Sequence, residues 1–226
     1  MGVTGNKVIM LKREASAITG GLTQTSKMPC KSYSLPTLAC QTGYKLAQIE
    51  GTICSKCYAD RGFYALYSNT IEPAQVARLS SLDDPHWVGA MVVQILGDPY
   101  FRWHDSGDIQ SVEHLHLIVL VCWATPDTEH WLPTREVGFV IAYINLYGRD
   151  ALPPNLIIRI SATYPDRPVK LPPALLGIPT ILTSNVHTPG QPALGLACEA
   201  YTRGGACGEC RACWSPAVPA VSYPQH

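Results

Sequence analysis

The chain has 226 residues, 46% of them apolar and 15% charged, a composition that folds around a core and is far from that of a disordered segment. Lys plus Arg and Asp plus Glu both total 17, so no overall basic field exists to coat nucleic acid or an anionic membrane, and nucleic acid is not indicated as a partner. The longest apolar run, 115–124, is interrupted by His116 and is far shorter than the roughly 20 residues of a membrane helix, so no membrane association is expected. The opening Met1 to Lys7 lacks the apolar run of a secretory signal, and the expected location is the cytoplasm. Nine cysteines there would be mostly reduced thiols, and clusters of them point to metal before disulfides.

Residues 1–61 are rich in Gly, Thr, Ser and Cys and read as loops, with a short strand candidate over 7–12. Pro73 can open a helix carrying Val76 and Leu79, and Asp84-Pro85 caps a second that runs through Val88, Val92 and Ile95 to Gly97. A strand follows over 100–103. Ser111 begins the apolar helix to Ala124, 129–133 is a strand, and 137–147 is a helix stopped by Gly148. Two β-rich runs, 156–161 and 179–183, complete the pattern, and beyond Pro189 the chain is a Cys/Gly/Pro-rich tail without hydrophobic periodicity. Strands separated by helices imply α/β architecture, either a partial parallel (β/α) barrel or an open parallel sheet. The expected division is a core over 1–189, including a cysteine-rich N-terminal loop region, and a C-terminal metal-binding tail over 190–226.

The tail carries Cys198, Cys207, Cys210 and Cys213, with the last three at C-x2-C-x2-C spacing. That spacing lets one tight loop reach three corners of an iron–sulfur cubane while Cys198 reaches the fourth, whereas a zinc ribbon would present two separated C-x2-C knuckles. Gly204, Gly205 and Gly208 would let backbone amides approach the sulfurs. A second constellation joins Cys40 to Cys54 and Cys57. Three thiolates there suggest a cluster with one iron left open to a substrate or cofactor; alternatively, these three and one tail cysteine share a single cluster. The expected cofactor is therefore one or two 4Fe-4S clusters. Cys122, inside an apolar helix, reads as a small hydrophobe, and the isolated Cys30 as a non-ligand.

In α/β sheets, ligands gather where strands end. Asp105, Asp108, Arg135 and Arg159 are accordingly the candidate catalytic residues, and Arg102, Ser106, Ser161 and Asn185 the candidate ligand-binding ones, for a small polar ligand. The competing reading makes Asp108 a helix cap and Arg135 and Arg159 buried partners of carboxylates. There is no phosphate-binding loop, no dinucleotide fingerprint and no nucleophile elbow.

The runs 26–29 (SKMP), 31–36 (KSYSLP), 54–59 (CSKCYA), 101–108 (FRWHDSGD), 131–136 (WLPTRE) and 207–214 (CGECRACW) together resemble the phage "gene product 88" family over nearly the whole chain. The resemblance implies a phage or prophage origin, hence the host cytoplasm. It also implies motif status for Cys40, Cys54, Cys57 and the four tail cysteines, while Cys30 stands where glycine is usual. The same motifs are distantly similar to radical S-adenosylmethionine enzymes, which would make that nucleotide a candidate cofactor. Here the pattern departs from theirs, because Cys40 lies fourteen residues before Cys54 and Lys56 precedes Cys57 in place of an aromatic residue. Three functions are consistent with these features: a cluster-dependent redox or radical-type enzyme served by an electron donor, a non-catalytic electron-transfer or redox-sensing protein, and a zinc-stabilised interaction protein.

Overall fold

The computed structural model describes residues 10–60 and 68–225. Its centre is an eight-stranded sheet in the order β1-β2-β3-β4-β5-β6-β8-β7. The strands are β1 (Thr23–Gln24), β2 (Lys31–Tyr33), β3 (Tyr100–Trp103), β4 (Glu129–Thr134), β5 (Leu156–Ser161), β6 (Ile181–His187), β7 (Leu196–Ala197) and β8 (Ala220–Pro224). Only the β1–β2 pair is antiparallel; every other neighbouring pair is parallel. From β2 through β6 spatial order follows chain order, without the reversal that defines a doubly wound sheet. The sheet is open, with β1 and β7 at its edges.

Sequential parallel strands joined by right-handed crossovers place their helices on one face. The side chains show which. Phe101, Trp103, Leu132, Leu156, Ile158 and Ile160 pack in one core with residues of α4 (Trp87–Ile95), α5 (Val112–Ala124) and α6 (Val137–Tyr147). The alternate residues of the same strands, among them Arg102, Trp131, Arg159 and Ser161, turn to the opposite face. None of these three helices packs there. The cover is the N-terminal loop region with α2 (Gln41–Ala47) and the C-terminal tail, sealed by a second cluster of Trp131, Trp214 and Cys30. The Trp131 and Trp214 rings meet edge-to-face at 5.2 Å, and Trp214 Nε1 donates to the Phe101 carbonyl at 2.9 Å.

Helix expectations hold where caps are explicit. Ser111 accepts from the His114 amide at 3.1 Å and starts α5, and α6 stops at Gly148 with φ 91°. Two expectations are corrected. The described part of the segment expected as a strand over 7–12 leads into α1 (Lys12–Thr19), because the Glu14 carboxylate accepts the Leu11 amide at 2.8 Å and fixes a helical first turn; residues 1–9 lie outside the description. Pro73 lies inside α3 (Ser68–Ser81) instead of opening it, which costs the helix one backbone hydrogen bond. The tail adds β7 and β8 to the same sheet, and β8 runs parallel beside β6.

Arg159 fastens that tail. The residue is fully buried, and its guanidinium donates to the carbonyls of Cys213 (3.0 Å), Ala212 (2.8 Å), Ser215 (3.1 Å), Val218 (3.0 Å) and Thr183 (3.1 Å). Arg159→Met should therefore lower stability by roughly 3 kcal/mol or more, because several buried carbonyls lose a charged donor at once. Urea melts give the magnitude, and limited proteolysis should cut the variant first beyond residue 189; an unchanged melt and digest would show that the tail is fastened elsewhere.

Candidate functional site

Because β2, β3, β4, β5, β6 and β8 are parallel, their carboxyl ends share one rim. The segments leaving those ends and the N-terminal cysteine loop enclose a cavity of about 420 Å³. Cys40, Cys54 and Cys57 line it, as do Arg102, Asp105, Ser106, Asp108, Arg135, Ser161 and Asn185 from the strand ends. Arg159, the remaining strand residue expected at the site, does not line it and instead holds the tail.

Local structure brings the three cysteines to the rim. Cys40 is the residue before α2, Cys54 starts a 3-10 turn (Cys54–Lys56), and Cys57 ends it. The Glu136 carboxylate, at the β4–α6 junction, accepts from the Thr42 amide and the Thr42 hydroxyl, both at 2.6 Å, and so fastens the first turn of α2 to the strand ends. Farther along, the Ile53 amide donates to the Thr163 carbonyl at 2.9 Å, and the Tyr58 hydroxyl donates to the Asp105 carbonyl. Gly43 leaves room between two of the sulfurs. A Cβ on it would stand 3.0 Å from Cys40 Cβ, 3.6 Å from Cys40 Sγ and 3.7 Å from Cys54 Sγ.

The polar lining divides into groups that hold loops and groups that face the cavity. Asp108 accepts from the Ile109 amide (2.8 Å), the Thr134 hydroxyl (2.6 Å) and the Arg135 amide (2.9 Å), yet burial outweighs these bonds and pushes its carboxyl up to about 6. Ser106 donates to the Leu35 carbonyl at 2.9 Å, and Asn185 bridges the Val169 amide and the Leu194 carbonyl. These three position the rim. Arg135 keeps part of its guanidinium for the cavity while Nε donates to the Ala162 carbonyl at 3.0 Å. Asp105 accepts the Ser32 hydroxyl at 2.6 Å, and Arg102 lies over the Trp131 ring at 4.5 Å, its Nη2 3.3 Å from the Tyr58 hydroxyl.

Several lining residues lie outside the site residues expected from the sequence. His104, at φ 60°, contacts the Tyr33 carbonyl through Nδ1 at 2.9 Å; burial pulls its pKa down to about 4, leaving a neutral imidazole, and its Nε2 finds no partner among the described residues. Its place directly after β3 was the available signal. Tyr223 also lines the cavity, while Glu136 lies outside its lining and holds α2 through Thr42; both contacts are distant in sequence.

The tail cysteines form a second set. Cys198, Cys207, Cys210 and Cys213 all line one small cavity of about 30 Å³, walled by Leu196, Trp214 and Val221. Backbone bonds shape it: the Cys198 amide donates to Ser222 (2.8 Å), Cys207 to Lys27 (2.9 Å) and Cys210 to Cys207 (3.2 Å). Gly205, at φ 87°, lets the loop pass Lys27, whose Nζ would lie 2.9 Å from a Cβ there. Cys30, though not in this ring, is buried beside it with Trp131 and Trp214.

No disulfide joins the described cysteines. Burial pushes the Cys40 thiol well up, and the nearby Asp108, Cys57, Cys54 and Glu136 add to that; burial likewise raises Cys207 and brings Cys213 to about 11. Thiols so placed stay protonated by themselves, and thiolates would need a cation among them. A single zinc ion with bonds of about 2.3 Å would require its sulfurs to converge tightly. Among the described residues no group of three or more His, Cys, Asp or Glu side chains is disposed to hold one metal ion. In both sets the cysteines line a cavity. No described helix is long and apolar enough to cross a membrane.

Compared with known proteins, the chain matches neither a curated protein nor a solved structure. The family model described as Gene product 88 matches residues 9–172, a stretch that holds Cys40, Cys54, Cys57 and strands β1 to β5 and stops before the tail cysteines. With the match covering well over half of its length, the chain belongs to the gene product 88 family.

Proposed function

We propose that this phage-family protein is an iron–sulfur protein holding two 4Fe-4S clusters, one in each cysteine set, and that it acts as a redox enzyme on a small polar ligand bound in the large cavity. The observation that carries the reading is the sorting of seven cysteines into three around a cavity of about 420 Å³ and four around a cavity of about 30 Å³. Cys40, Cys54 and Cys57 would hold the first cluster and leave one iron without a cysteine; Cys198, Cys207, Cys210 and Cys213 would hold the second. Such a cluster supplies one-electron chemistry and a coordination position open to a ligand.

The chain's own residues do the rest. Arg102 and Arg135 offer cationic donors to an anionic group, and Asp105 offers a carboxylate to a cationic one, which suits a zwitterionic ligand. Leu38, Ile53, Trp131 and Pro133 give the cavity apolar walls that exclude water and strengthen those contacts. At the tail, exposed Cys210 places the second cluster near the surface, where an electron donor can reach it. S-adenosylmethionine, zwitterionic and carrying a sulfonium, is the first ligand to try. A partial barrel remains part of this reading, supported by the sequential strand order.

Protein purified without oxygen under iron-replete conditions should carry about eight iron atoms per chain with equal acid-labile sulfide. Cys54→Ser and Cys210→Ser should each retain about four, while Cys122→Ser, buried in the helical core, should leave the content unchanged. Near-stoichiometric zinc in place of iron would sink the reading.

Asp105→Asn should keep both clusters and weaken S-adenosylmethionine binding about tenfold or more, the loss expected when a charged acceptor worth about 1.5–3 kcal/mol is neutralised without change of volume. Calorimetric titration of both proteins checks this; a wild type that ignores S-adenosylmethionine removes that ligand and leaves other zwitterions to be tested.

A further inference from the structure

One side chain of the large cavity's lining also contacts a cysteine of the small one. Tyr223 lines the large cavity together with Cys40, Cys54 and Cys57. Its hydroxyl lies 3.2 Å from Cys213 Sγ, one of the four sulfurs around the small cavity. Neither partner is free to drift. β8 is held in register against β6, with Tyr223 opposite Val186, and the Tyr223 side chain packs against the cluster of Trp131, Trp214 and Cys30. On its other side Cys213 is fixed through its carbonyl, which accepts from Arg159 Nε at 3.0 Å.

A cysteine that ligates metal has no S–H to give, so between these two groups the phenol O–H is then the donor and the sulfur the acceptor. Hydrogen bonds to ligand sulfurs withdraw negative charge and favour the reduced, more negative state of a cluster. We propose that Tyr223 is a positioning residue of the tail site: its hydroxyl donates to the Cys213 sulfur and raises the reduction potential of the cluster held by the four tail cysteines. The inference rests on the two-cluster reading above and adds to it a specific residue that sets one potential and not the other. Because the same ring also lines the large cavity, the residue that tunes the tail lies beside the bound ligand.

The test is a dithionite titration of the full chain followed by electron paramagnetic resonance, on wild type and Tyr223→Phe. The wild type should show two reduction waves, and Cys54→Ser, which keeps the tail set, identifies the tail wave. Tyr223→Phe should keep its iron and shift the tail wave to more negative potential while the other wave stays in place. If the phenylalanine variant loses tail iron, a difluorotyrosine installed at position 223 decides the matter: it keeps the ring, donates more strongly in buffer acidic enough to leave it protonated, and should shift the tail wave to more positive potential. Full iron with the tail wave unmoved in the variants overturns the role of Tyr223 alone. A wild type without iron and sulfide overturns the two-cluster reading, and this inference with it.

Discussion

A buried guanidinium anchors the face of the sheet on which both cysteine sets lie. Arg159 sits in the middle of β5 with no exposed surface, and burial lowers its pKa, a direction that measures the cost of keeping its charge away from water. That cost, several kcal/mol for an isolated ion, is offset by five carbonyl acceptors drawn from the tail and from β6. Arginine suits the position because its planar fork presents five N–H donors at once, where lysine would present three from a single point. The tail turn at Ala212–Trp214 is therefore shaped around a side chain of the sheet, and Cys213 takes its place from that turn.

The same division of the sheet explains the electrostatics of the large cavity. On the helix-covered face, burial leaves His130 and His114 neutral, with His130 brought down to about 3, and they serve packing: His130 stacks on Trp103 at 5.9 Å. On the loop-covered face, acids and thiols gather in one place. Asp108 and Glu136 lie close enough to Cys40 to oppose its ionisation, and each of these carboxylates is committed to backbone amides and hydroxyls of the loops around it.

Arg102 connects the two halves of that face. Its guanidinium lies over Trp131, reaches the Met28 sulfur at 3.3 Å and the Tyr58 hydroxyl at 3.3 Å, and opposes the rise in the thiol pKa values of Cys30, Cys207 and Cys213. A cation so placed favours anionic sulfur at Cys207 and Cys213 of the tail set. Tyr58, next to Cys57, is thereby tied to the end of β3, so the loop carrying the N-terminal cysteines and the segment after β3 that carries Asp105 hold a common geometry.

The sequence by itself determined the elements whose causes are local. Ser111 capping α5, Gly148 ending α6, and the β-branched run of β5 are written in neighbouring residues, and so is the C-x2-C-x2-C spacing that brings the tail sulfurs around one small cavity. It also marked the strand ends, because a parallel sheet must present all its carboxyl ends at one rim, and Arg102, Asp105, Asp108 and Arg135 meet there. What only the tertiary structure decided depends on contacts distant in sequence. Arg159 and Ser161 are two residues apart on the same strand, yet one binds the tail and the other lines the cavity, since the first lies under the Ala212–Trp214 turn and the second at the open rim. The last strand carries no pattern strong enough to stand out; Ala220 to Pro224 becomes β8 because β6 offers an unpaired edge, and that pairing sets Tyr223 between the two groups of cysteines.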